Sequence, residues 1–183
     1  MKIITIPHPT LRQTAKEVTT VDKKLKKFVS ELEQTLDKTK NPKGVGLAAT
    51  QVDDLHRVFA THFDKQLRSF INPEIISASD ELVLGPEGKE PYLEGCLSIP
   101  GIYGPVFRHD WLELRYQTIK DNELVSHQEQ FTDYNARVIQ HELDHLNGVL
   151  FIDYTLQYGL DLYKENDSTK KLEEIDPSLF AYV

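Results

Sequence analysis

The stretch that most restricts what this chain can become is Gln140-His141-Glu142-Leu143-Asp144-His145. Residues four apart stack on one face of an α-helix, so the imidazoles of His141 and His145 can reach a single cation. Glu142 lies about 100° further round, by the helical repeat of 3.6 residues. There it is close to such a cation without ligating it, as a general base for metal-bound water must be. Ala136, Ile139, Leu143 and Leu146 give this helix an apolar stripe, and Thr132 or Asp133 an N-cap. Asn147-Gly148 ends it.

Two histidines leave a tetrahedral catalytic site one protein ligand short. The chain has one cysteine, Cys96, in Glu94-Gly95-Cys96-Leu97-Ser98. A lone cysteine is read either as a small inert core residue or as a ligand. Its setting between Gly95 and Ser98 suggests an accessible loop, which favours the ligand. Cys96, His141 and His145 then leave the fourth position for water, the arrangement of a catalytic site. A fourth ligand from His109 or His127 would reverse that conclusion, but neither shows ligand spacing.

Composition bounds the rest. A chain of 183 residues, 39% hydrophobic and 27% charged, is expected to form one globular domain over 1–183. A net charge of −8 argues against a general DNA or RNA binder. No apolar run approaches the ~18 residues that span a bilayer. The opening residues lack the pattern of a signal peptide, and one cysteine cannot form an internal disulfide. These features favour a cytoplasmic location away from membranes.

Along the chain, Asp22 caps a helix with Leu25, Phe28, Val29, Leu32 and Leu36 on one face, and Asn41-Pro42 stops it. Gly44-Val45-Gly46-Leu47-Ala48-Ala49-Thr50-Gln51 is not a phosphate loop, because the Lys-Ser/Thr ending is missing. It is either a closely packed segment or a Gly-rich turn with an exposed glutamine. Strands are expected at 58–60 and 69–71 around a turn near Asp64-Lys65, the second ending at Asn72-Pro73. Residues 77–91 suggest a loop or irregular hairpin. A strand at 111–116 meets another at 123–131 through Asp121-Asn122. A short strand is expected at 148–152, then an acidic tail from Asp153 with a weak helix around 156–163. The fold class is α+β, with short antiparallel sheets packed around a central helix that carries the His-Glu-x-x-His motif.

Three motifs in order now make a resemblance specific. Gly44 to Gln51 fits Gly-x-Gly-x-Ala-Ala-x-Gln, 94–98 fits Glu-Gly-Cys-Leu-Ser, and 140–145 fits Gln-His-Glu-x-Asp-His. The chain resembles the peptide deformylases over about residues 5–155. The resemblance implies a metal-dependent hydrolase that removes the formyl group from N-formylmethionyl peptides on nascent chains. It implies Fe(II) as the working metal, with Zn(II) or Ni(II) as substitutes, held by Cys96, His141 and His145. Glu142 is implied as the proton carrier, and the Gln51 side chain and Leu97 N–H as oxyanion donors. Val45, Gly46 and Gly95 would pair with the peptide backbone, and positions 134 and 138 would line the methionine pocket. Tyr134 departs from the usual Gly-Leu of the family, where this chain has Asp133-Tyr134. It can narrow the pocket, cap it or turn away. From Asp153 onward seven acidic residues face three lysines, so ribosome docking through this segment is not expected. Another amidase or metalloprotease, and a metal-bound interaction module without catalysis, are the competing readings.

Overall fold

The computed structural model describes residues 1–40, 43–63, 66–166 and 168–181. In chain order the elements are α1 (Lys23–Lys38), β1 (Gly46–Ala48), β2 (Val58–Phe63) and β3 (Gln66–Ala78). Next come β4 (Leu82–Val83), β5 (Leu93–Cys96), β6 (Ile99–Pro105) and β7 (Arg108–His109). Strands β8 (Trp111–Lys120) and β9 (Glu123–Thr132) lead into α2 (Asp133–Leu146) and α3 (Phe151–Tyr158). Strands β10 (Leu162–Glu165) and β11 (Leu172–Ile175) follow. The breaks expected at Asn41-Pro42 and Asp64-Lys65 lie outside the described residues.

Three antiparallel sheets form, in the orders β1-β2-β3-β8-β9, β11-β10-β6-β5 and β4-β7. The largest is covered on both faces. Leu25, Leu32 and Leu36 of α1 pack with Leu47, Val58, Ala60 and Ile71. Ile139, Leu143 and Leu146 of α2 pack on the other face with Ala48, Phe59, Phe70 and Leu112. Strand β2 is therefore buried at nearly every position instead of alternating. A third cluster joins Cys96, Ile99 and Ile102 to Phe151 and Ile152 of α3. The architecture is the expected α+β one, with α2 at its centre.

The ends of the helices follow local chemistry. Asp22 Oδ1 accepts a hydrogen bond from Leu25 N at 2.7 Å, satisfying one of the unpaired donors at the start of α1. Asn147 caps α2, and Gly148 follows with φ 75°. A side chain at Gly148 would also bring its Cβ within 2.7 Å of Arg12 O. Asp121 and Asn122 both take positive φ, as a tight β8–β9 turn requires.

Several expectations need correction. Strand β3 does not end at Asn72-Pro73 but continues to Ala78. The side chain of Asn72, with φ 49°, bonds to Val18 N and O, and the β3–β8 register shifts between Ile71 and Glu74. A proline inside a strand is accommodated at such an irregularity. The loop at 77–91 contains β4, which pairs with β7. No strand forms at 148–152. Asp153 Oδ2 instead accepts from Leu150 N at 2.8 Å, and α3 starts there, burying Phe151, Ile152 and Thr155. The helix expected at 156–163 is thereby moved earlier, and Leu162–Glu165 pairs with β6 as β10. The segment from Asp153 is thus built into the fold as α3, β10 and β11.

Candidate metal centre

Strand β5 and helix α2 bring the expected ligands together. Cys96 Sγ and one ring nitrogen of each of His141 and His145 all lie within 4.8 Å of one another. Sγ is 3.1 Å from His145 Nε2, and the two imidazole rings stand nearly perpendicular, at 78°. Cys96 closes β5 rather than sitting in an open loop, and only 8% of it is exposed. His109 and His127 are elsewhere: His109 Nδ1 faces Ser79 O, and His127 Nε2 faces Thr118 Oγ1.

Gln51 is buried, not exposed as a simple Gly-rich turn would leave it. Gly46–Ala48 is a strand, and the 3₁₀ turn Ala49–Val52 folds the glutamine inward. Ala48 N donates to Gln51 Oε1 at 2.8 Å, which turns the amide nitrogen towards the site. Nε2 lies 3.4 Å from Cys96 Sγ and 3.2 Å from Ser98 Oγ. Ser98 N is 3.3 Å from the same sulfur, so two N–H donors converge on it.

Glu142, on α2 between the histidines, is 3% exposed. Burial pushes its carboxyl up to about 7, with the nearby His141 pulling the other way. Its Oε2 has no hydrogen-bond partner. The residue therefore combines an unspent acceptor with a proton affinity near neutrality, as proton transfer in a catalytic step demands.

Glu94 is a feature to which the sequence reading gave no role. Its Oε2 is 3.0 Å from His141 Nδ1, which leaves His141 Nε2 for a ligand. Arg108 binds both Glu94 oxygens at 2.9 Å, and Arg137 Nη1 reaches Oε1 at 3.0 Å. Burial alone would raise this carboxyl, but the Arg108 guanidinium overrides it and holds it well below the usual range. Arg108 continues to Asp144, which also accepts from Tyr154 OH. The available signal was positional: Glu94 and Cys96 are two apart on a strand, so they share its buried face.

A cavity of about 270 Å³ opens onto this cluster. Val45, Gly46, Gly95, Leu97, Tyr134 and Val138 all line it, so each proposed substrate contact reaches the same space. Its two walls include β1 and β5, each the edge strand of its sheet. Tyr134 stands half-exposed at the rim, edge-to-face with Tyr92 at 5.9 Å. Tyr92 is a lining residue that the sequence reading did not name.

The donor set fits a metal. One soft thiolate and two imidazoles suit a transition ion such as iron, zinc or nickel better than a hard cation. Three protein ligands beside an open pocket suit a catalytic centre. No helix among the described residues is long and apolar enough to cross a membrane.

Comparison with known proteins agrees with this chemistry. The sequence model of the polypeptide deformylases matches residues 1–159. A peptide deformylase of Pseudothermotoga lettingae is 41% identical over 152 residues, covering 83% of this chain and 81% of that protein. One from Wolinella succinogenes is 37% identical over 182 residues, covering 95% and 96% respectively. The crystal structure of the Thermotoga maritima peptide deformylase superposes with a TM-score of 0.71 at 38% identity, covering 84% of this chain and 95% of that one. A Synechococcus elongatus peptide deformylase in complex with actinonin gives 0.71 at 34% identity, over 84% and 78%. Matched from its first residue to the end of α3, the chain belongs to the peptide deformylase family, metal-dependent hydrolases that release formate from N-formylmethionyl peptides.

Proposed function

We propose that Cys96, His141 and His145 hold one divalent ion, Fe(II) in the cell, with Zn(II) or Ni(II) able to replace it. Such an ion supplies Lewis-acid polarisation and makes water a nucleophile at neutral pH. The protein's own residues do the rest. Glu142 takes the proton of the attacking water and later passes one to the leaving amine. Gln51 Nε2 and Leu97 N–H donate to the formyl oxygen as negative charge grows on it. The observation that carries this reading is that the Gln51 amide lies beside Cys96 Sγ of the Cys-His-His cluster while Glu142, its Oε2 without a partner, lines the same cavity.

The peptide enters between the edges of β1 and β5. Val45, Gly46 and Gly95 offer it main-chain groups as to an added strand, while Tyr134 and Val138 border the methionine side chain. The substrates are nascent chains met in the cytoplasm, and residues 1–183 act as a single domain. The acidic balance after Asp153 disfavours ribosomal RNA as a docking surface for that segment.

The test is hydrolysis of formyl-Met-Ala-Ser by anaerobically iron-loaded protein, beside Glu142→Ala and beside the unformylated peptide. Formate release by the wild type alone is expected, with metal retained by the variant. Cleavage of the unformylated peptide would indicate a protease instead.

A further inference from the structure

Strand β1 and helix α2 meet where Gly46 faces Glu142. A Cβ added at Gly46 would lie 2.1 Å from Glu142 Oε1, 2.6 Å from Cδ and 2.8 Å from Cγ. All three fall below the 3.0 Å that real Cβ atoms essentially never undercut. The conflict is not confined to the tip of a mobile side chain, because it reaches Cγ of a residue that is 3% exposed. Glu142 also lines the cavity.

Backbone freedom does not explain this glycine. Gly46 is not among the residues with positive φ, and it pairs with Thr61 in an ordinary antiparallel register. Any residue could adopt that conformation, so space is what excludes a side chain. No hydrogen bond holds Glu142 Oε2 either. Glu94 next door is held by two arginines and a histidine. The bare main chain of Gly46 forms one wall of the space that Glu142 occupies.

We propose that Gly46 is a positioning residue for Glu142, setting where the carboxylate stands in the site. The proposal rests on the reading of Glu142 as proton carrier. It is separable from strand pairing with substrate, because Gly46→Ala keeps the same N–H and C=O. A pairing role alone would leave kcat unchanged on that substitution.

The experiment is a double-mutant cycle of Gly46→Ala with Glu142→Asp on iron-loaded protein, with metal content measured for each variant. Gly46→Ala should retain metal and leave KM little changed, while kcat falls by up to roughly a hundredfold, the loss that about 1 Å of misplacement can cause. Glu142→Asp keeps Cγ, 2.8 Å from the added Cβ, but shortens the arm beyond it, so in that background the same change should cost less. An unchanged kcat, or an equal loss in both backgrounds, would overturn the proposal. Should Gly46→Ala fold poorly, thermal midpoints supply a second reading. The substitution should lower the midpoint of the wild type but not of Glu142→Ala, and equal lowering in both would overturn it. This second cycle needs no substrate, so absence of formate release by the wild type would count against the reaction and not against the contact.

Discussion

Glu94 Oε2 lies 3.0 Å from His141 Nδ1, and the same carboxylate is gripped by Arg108 and Arg137. A ligand whose far nitrogen is tied in this way has its ring orientation and tautomer fixed before any ion arrives. Glu94→Gln should therefore weaken zinc affinity about tenfold to hundredfold, read by competition with a chelator. Glu94→Ala should go further and cost about 3–5 kcal/mol of stability, because it leaves two buried guanidinium groups short of their counter-charge. Wild-type zinc affinity in Glu94→Gln would confine Glu94 to packing.

In the five-stranded sheet, Arg68 of β3 reaches Glu129 of β9 at 2.5 and 3.1 Å, and Tyr116 OH donates to the same carboxylate at 2.9 Å. The bond to Arg68, and then that to Tyr116, hold the Glu129 carboxyl below its ordinary 4.5, against the opposing effect of burial. A carboxyl lowered by folding binds fewer protons in the native state than in the unfolded one. Its stabilisation is therefore present above about pH 4.5 and is lost as pH falls through the folded value. Glu129→Gln should cost up to about 1 kcal/mol at neutral pH, a modest figure because the pair is partly exposed. The difference from wild type should shrink in urea titrations on the acid side. A constant difference at all pH values would rule out this linkage.

The parts of the site that one element carries were legible in the sequence. His141, Glu142 and His145 share a helix, and the apolar stripe through Ile139 and Leu143 orients it. Cys96 was named by counting ligands, and Gln51 and Leu97 only through motifs shared with a family; the contacts that bring distant chain together were not legible. Gln51 is buried because α2 comes back over it, with Thr50 Oγ1 bonded to His145 O across 95 residues. No local pattern around Gln51 records that return. The apolar run at 149–152 suits strand or helix equally, and the outcome hangs on Asp153 capping Leu150 N. Asn72-Pro73 looked like a stop, but the Asn72 side chain bonds across to Val18 and Gln117 and the strand continues.

Gly148 should be the glycine least tolerant of change outside the site. Its φ of 75° disfavours a side chain, and an added Cβ would stand 2.7 Å from the main-chain oxygen of Arg12. Backbone cannot yield as a flexible side chain would. Gly148→Ala should cost about 1–3 kcal/mol in urea unfolding, with the metal site intact once folded. A cost near zero would mean that the segment around Arg12 moves freely away from the end of α2.

Tyr134 separates chemistry from selectivity. Its ring is half-exposed at the rim of the cavity and meets Tyr92 edge-to-face at 5.9 Å, with 73° between the rings. No hydrogen bond joins it to Glu142, Gln51 or a metal ligand, so Tyr134→Leu should leave kcat for formyl-Met peptides close to wild type. Stability should fall only slightly, since an aromatic pair is worth about 0.5–1.5 kcal/mol and this one is partly in solvent. Selectivity should move more. Removing the ring widens the rim beside Val138, so kcat/KM for formyl-Phe and formyl-Leu peptides should rise relative to formyl-Met. One methylene in an apolar pocket is worth about 10–200-fold in discrimination, which makes even a small change in shape measurable. A collapse of kcat would place Tyr134 among the groups that touch the reacting atoms. An unchanged preference would show that the methionine pocket lies deeper, past the rim that Tyr92 and Tyr134 form.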